Sequence, residues 1–268
     1  MDAGSDRRTP RGRLLRHHLE FALLRLVEFG LRALPVESGA ALMGGVWRFA
    51  GPLTGRQKRV SLNLANALPG LGEAERRRIS AEQWDNLGRT FAEALMIDKL
   101  VTDPARVELS ISAELEARLR QPGGQVFVSM HSGNWELAAL PARRFRPVVG
   151  IYQRMSNPLS DRHIRALRER VFDGGVFPKG ADTLRRVTKW VRDGNAIAML
   201  ADQRESRGIP VTLFGMPALA NPFPAILARR LGAVLVAARC IRLPGSRFRV
   251  EAVEVPLADG EDAQATTQ

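Results

Sequence analysis

The segment Met130-His131-Ser132-Gly133-Asn134-Trp135-Glu136 gathers the side chains best suited to chemistry. His131 follows the apolar run Val126-Phe127-Val128, which reads as a buried strand. In open α/β sheets, sites form just beyond such strand ends. A His and a carboxylate five residues apart share no helix face. They can meet where a strand ends, the chain turns through Ser-Gly-Asn and a helix begins near Glu136. Glu136 would then hold one ring nitrogen and fix the tautomer, leaving the other nitrogen to take a proton from a hydroxyl. A surface turn with a capping His fits the same spacing. Gly133 permits close backbone approach, Trp135 offers a wall, and amides at the start of the following helix could meet an oxyanion. There is no G-x-S-x-G elbow, and Ser129 and Ser132 lack the strained turn of a nucleophile. Direct transfer to a bound hydroxyl is therefore expected rather than a covalent enzyme intermediate. A second acid, Asp202, follows the buried run 196–200 and is a further site candidate, although a loop-capping role also fits.

These residues need a sheet to hold them. From residue 121 onward, short apolar runs alternate with helical segments. Strands are expected at 126–128, 147–152, 175–177, 196–200, 233–239 and 248–255, with helices between them, including a basic one at 158–171. That alternation predicts an α/β fold with a mainly parallel sheet flanked by helices. The first hundred residues read as largely helical. Residues 1–13 are polar and basic and are expected to be a disordered start. Residues 14–120 form a helical, membrane-interacting region, and 121–268 the α/β catalytic core. Leu14–Leu34 carries Leu15, Leu19, Leu23 and Leu26 at helical spacing, with Arg16/Glu20 and Glu28/Arg32 as i,i+4 pairs. Its charges are too frequent for a bilayer span or a cleavable leader. It suits an interfacial helix, or one packed on the domain's own core.

The chain of 268 residues has 40 Lys+Arg against 28 Asp+Glu, a net charge of +12, so an anionic partner is expected. With one Tyr in the whole chain and basic stretches that read as helices, nucleic acid fits this charge less well. A membrane surface or anionic head group fits better. The single cysteine, Cys240, excludes a disulfide framework and a Cys-based zinc site. His17-His18 reads as a surface pair rather than a metal site. No dinucleotide fingerprint, P-loop or H-E-x-x-H is present, so no cofactor is expected.

His131 to Glu136 resembles the H-x4-D/E motif of the lysophospholipid and glycerolipid acyltransferase superfamily. The form H-S-G-N-W-E is similar to its lipid A late acyltransferase branch, the lauroyl and myristoyl acyltransferases. Tyr152 to Leu159 (YQRMSNPL), Leu200 to Gln203 (LADQ) and Gly208 to Gly232 (GIPVTLFGMPALANPFPAILARRLG) resemble further blocks of that branch, in the same order. The resemblance covers most of the chain. It implies transfer of an acyl chain from a thioester, on an acidic acyl carrier protein or coenzyme A, to a hydroxyl of an anionic membrane lipid such as a lipid A precursor. It places the protein at the cytoplasmic face of the bacterial inner membrane. It implies His131 as general base, Glu136 as its orienting acid, and Asp202 and an Arg of the basic helix completing the site. That Arg falls at Arg170 or Arg168, with Arg154 and Gln203 on the substrate side. Asn134 either bonds the substrate or holds the turn. Asn221 stands where the branch often has Thr, Gln153-Arg154 shifts its Tyr-Arg pair by one, and the branch usually continues beyond a T-Q like Thr267-Gln268. The last departure suggests a fragment or a shortened product. An inactive lipid-binding relative and a thioester hydrolase are the alternatives to a transferase.

Overall fold

The computed structural model describes residues 10–257 and 263–267. Five helices come first: α1 (Pro10–Arg32), α2 (Val36–Ala50), α3 (Gln57–Ala67), α4 (Glu73–Leu95) and α5 (Ile97–Val101). Then follow β1 (Val107–Ile111), α6 (Ala113–Arg120), β2 (Gln125–Ser129), a 3-10 turn (Trp135–Ala139), α7 (Leu140–Arg143) and β3 (Val148–Tyr152). Next come α8 (Pro158–Arg168), β4 (Gly175–Pro178), α9 (Ala181–Arg192) and β5 (Ala196–Leu200). The hairpin β6 (Ile209–Leu213) and β7 (Met216–Ala220), α10 (Phe223–Leu231), β8 (Val234–Leu243), β9 (Arg247–Glu254) and α11 (Ala263–Thr267) complete the chain.

Seven strands form one sheet in the order β1-β9-β8-β2-β5-β3-β4. The five strands from β8 to β4 are parallel, while β9 is antiparallel to β8 and β1 runs with β9. The expected α/β class and mainly parallel sheet are found. Strand period sorts the core into two faces. Phe127, Val148, Ala198 and Val236 join α4 and α5 residues such as Leu95 and Leu100 on one side. Val126, Val149, Ile197 and Leu235 pack with Val187, Val191, Leu227 and Ala228 of α9 and α10 on the other. Both faces of the central strands are covered, which is why these strands read as unbroken apolar runs. In the helical layer, a Cβ at Gly88 of α4 would stand 2.2 Å from the Met43 carbonyl oxygen of α2, so glycine there allows close packing of the two helices.

The structure departs from the sequence expectation at four places. Pro10–Arg13 open α1 rather than continuing a disordered start; residues 1–9 lie outside the described residues. Strand β1 falls inside the stretch expected to be helical. Its half-exposed residues on the sheet edge lack the continuous apolar run of a central strand. The helix expected from Glu136 is a five-residue 3-10 turn leading into a four-residue helix. That is too short to form a helix-dipole oxyanion site. Finally, residues 209–220, for which no strands are expected, form a separate two-stranded antiparallel hairpin.

Candidate active site

The site grows from the register of β2 and β5. Ser129 pairs with Leu200 at the carboxyl ends of these neighbouring parallel strands. Ala201 N–H still donates to the Ser129 carbonyl at 2.9 Å. Two residues further on, His131 and Asp202 face one another. The His131 amide donates to Asp202 Oδ2 at 2.9 Å, and its ring Nδ1 meets Asp202 Oδ1 at 2.7 Å. A carboxylate only accepts, so Nδ1 carries the proton. The lone pair of the neutral ring then lies on Nε2, to which Gln203 Nε2 donates at 3.3 Å. The Trp135 ring lies 5.2 Å from the His131 ring and tilted to it.

Asp202, not Glu136, therefore holds the His131 ring. Glu136 turns the other way, into the protein, and is 8% exposed. It accepts from Arg168 Nε at 2.9 Å and 3.1 Å and from Arg168 Nη2 at 2.7 Å. The chain's reversal through the 3-10 turn puts the two ends of H-x4-E on opposite sides of the loop. Arg168, in the last turn of α8, also sits 5.9 Å over the Tyr152 ring. Arg170 is not the arginine of this group. Two residues apart on a helical path means roughly 200° of rotation. Arg170 lines a separate open cleft with Arg143, Arg144 and Asp98. Arg154 is exposed on the loop between β3 and α8. Asn134 is fully buried and donates through Nδ2 to Glu93 at 3.1 Å, so it holds the turn and does not face a substrate.

Burial works against the charge of Asp202. The hydrogen bonds from the His131 ring and amide outweigh it and hold the carboxyl below the usual aspartate range. A depressed folded pKa contributes stability above the unfolded value and loses it as pH falls through the folded one. The stability difference between wild type and Asp202→Asn is thus expected to be constant above about pH 5 and to shrink below the free aspartate value of about 3.9. Urea midpoints measured across that range check this. Burial pushes the Cys240 thiol up to about 12, so no thiolate nucleophile is available there at neutral pH.

Four residues around the loop were not legible as site residues. The fully buried Glu93 pairs with the part-buried Arg242 beneath it, with Asn86 and Thr90 beside them. Asn86, Thr90 and Glu93 fall at i, i+4 and i+7 on α4, a polar stripe on a helix read for its apolar residues. Arg242 lies beyond the expected end of its strand.

A mainly parallel sheet with a His–Asp pair at the carboxyl ends of its strands defines an α/β protein equipped for acid–base chemistry. The chain belongs to the bacterial lipid A biosynthesis acyltransferase family, which it matches over residues 8–268. It is an acyltransferase, working with an acyl donor and a lipid acceptor. No curated protein matches the chain. Among the described residues, no helix is long and apolar enough to cross a membrane, and no group of His, Cys, Asp and Glu is placed to hold a metal ion.

Proposed function

We propose that the chain moves a fatty acyl group from a carrier-protein or coenzyme A thioester to a hydroxyl of a membrane glycolipid such as a lipid A precursor, with His131 as general base. The observation that carries this is the 2.7 Å contact of His131 Nδ1 with Asp202 Oδ1, which commits the Nδ1 proton to the carboxylate and leaves the lone pair on Nε2. The acceptor hydroxyl gives its proton to Nε2 as its oxygen attacks the thioester carbonyl. The tetrahedral intermediate then expels the thiolate, and the imidazolium returns the proton to that sulfur. Asp202 keeps the ring oriented and balances its transient charge. Glu136 acts through Arg168 rather than through His131. With Nε and Nη2 bound to Glu136, the Nη1 group of Arg168 remains to receive an acyl oxygen or a phosphate of the acceptor. Gln203 sits where the acceptor hydroxyl must approach Nε2 and yields its bond to it. Arg154, exposed on the loop after β3, is a candidate for the acceptor's outer charge.

The protein is read as peripheral, on the cytoplasmic face of the inner membrane. The amino-terminal helices support this. On α1, Leu15, Leu19, Leu23 and Leu26 are each more than 60% exposed, and Phe29 is 74% exposed. On α2 and just after it, Phe49 and Leu53 are 78% and 77% exposed. Apolar surface of this extent beside Arg11, Arg13, Arg56, Lys58 and Arg59 fits anionic lipid, with leucines in the acyl region and cations at the head groups.

The test is product identity. Purified protein in detergent is incubated with acyl carrier thioesters of several chain lengths and a bacterial lipid extract, and followed by mass spectrometry. A lipid gaining one acyl chain is expected. Free fatty acid alone would instead assign a hydrolase, and absence of turnover across all donors would leave a lipid-binding relative.

A further inference from the structure

The loop bearing His131 rests on a buried polar cluster that does not touch the proposed reacting atoms. Glu93 is 0% exposed and sits under residues 132–134. It takes both Nη groups of Arg242, with Nη2 at 2.9 Å from Oε2. It also takes Asn134 Nδ2 at 3.1 Å and Ser246 Oγ at 3.3 Å. Two further Arg242 donors go to the same helix: Nε to Asn86 Oδ1 at 2.8 Å and Nη2 to Thr90 Oγ1 at 3.1 Å. The same two α4 side chains then donate to one atom of the loop, the Gly133 carbonyl oxygen, from Asn86 Nδ2 at 3.1 Å and Thr90 Oγ1 at 2.9 Å.

The backbone at this point tolerates little. Gly133 has φ of +55°, and a Cβ there would stand 2.3 Å from the Cys240 carbonyl oxygen of β8. Ser132 Oγ donates to that same oxygen at 3.3 Å. The turn is thus pressed against β8 on one side and hung from α4 on the other. His131 leaves it toward Asp202, and Glu136 leaves it toward Arg168.

We propose that Asn86, Thr90, Glu93 and Arg242 are positioning residues for acyl transfer: as one charge-neutral cluster they fix the 132–134 turn and thereby set where His131 Nε2 stands. An ion pair with a fully buried carboxylate is weak evidence for stability, because apolar side chains of similar volume often serve the fold as well. What apolar replacements cannot supply is the set of directed N–H and O–H donors to the Gly133 oxygen and the link to Asn134. A guanidinium is required because a single ammonium cannot reach Glu93, Asn86 and Thr90 in their different directions.

This inference rests on His131 being the base, so the test carries a readout that needs no turnover. Full-length wild type, Thr90→Ser, Arg242→Lys and Asn86→Leu/Thr90→Val are compared by thermal unfolding, steady-state thioester kinetics and the ¹H–¹⁵N spectrum of ¹⁵N-histidine-labelled protein. Thr90→Ser keeps the hydroxyl and is expected to match wild type in kinetics and in the His131 signals, with a small loss of stability from the deleted buried methyl group. Arg242→Lys and the double variant are expected to stay folded, to lose about 10–100-fold in kcat with little change in KM, as a displacement of about 1 Å costs, and to shift the His131 ring signals. The apolar pair Glu93→Met/Arg242→Met guards against a folding defect, since it removes both charges together. It is expected to fold and to remain slow. Folded variants with unchanged His131 signals overturn the proposal, as does a kcat loss that only follows the fraction unfolded. If wild type shows no acyl transfer, the mechanism of His131 fails on its own, and the histidine spectrum still decides whether the cluster positions the loop.

Discussion

The His131→Ala chain is expected to unfold within a few degrees of wild type and to transfer acyl groups about a thousandfold more slowly. The His131 side chain is 31% exposed and contributes no core volume, so its loss should cost about 1 kcal/mol, the worth of its ring bond to Asp202. General-base assistance contributes about 10²–10⁴-fold, which sets the size of the rate loss. Asp202→Asn should fall between the variant and wild type. Its amide can still bond the ring, but it can offer its N–H to Nδ1, in which case the ring's proton moves to Nε2 and the lone pair is lost to catalysis. The ordering is informative because the two residues act through one hydrogen bond of 2.7 Å: the double variant should be scarcely slower than His131→Ala alone. Single-turnover rates with a fixed thioester measure this, with melting curves as the control. Retention of wild-type rate within about tenfold by His131→Ala would remove it as the base.

The second large effect concerns Arg168. Replacing it by Leu strips three hydrogen bonds from the nearly buried Glu136 carboxylate. Breaking a buried pair on one side costs about 3–5 kcal/mol when both partners are fully dry. The Arg168 side chain is 29% exposed, so about 2–3 kcal/mol is the appropriate scale after discounting for solvent. For a chain of this size that lowers the melting temperature by about 5–10 °C. The double variant Glu136→Leu/Arg168→Leu removes the stranded charge and should regain most of that stability. It should not regain activity, because the guanidinium proposed to meet the acyl oxygen or phosphate is gone. Urea unfolding and thioester turnover on the three proteins separate the two roles. Recovery of both stability and rate in the double variant would make the pair a purely structural one.

Local pattern carried a large part of this protein. The unbroken apolar runs at 126–128 and 196–200 announce strands covered on both faces, and strands alternating with helices leave a mainly parallel sheet as the economical packing. The acyltransferase resemblance was likewise written in short contiguous blocks, above all His131 to Glu136 and Leu200 to Gln203. Pairings between blocks were not. Spacing suggested that Glu136 orients His131, because the two are near in sequence. The tertiary structure joins His131 to Asp202, because β2 and β5 are neighbours in a register that pairs Ser129 with Leu200. It joins Glu136 to Arg168 because α8 returns past the other side of the loop. Strand adjacency and helix return are settled by the packing of the whole sheet, and no local preference encodes them. The same holds for Glu93 and Arg242, which are 149 residues apart. Each alone looks like an ordinary surface charge, and only the fold, by pairing them beneath Gly133, gives them the proposed part in holding the site.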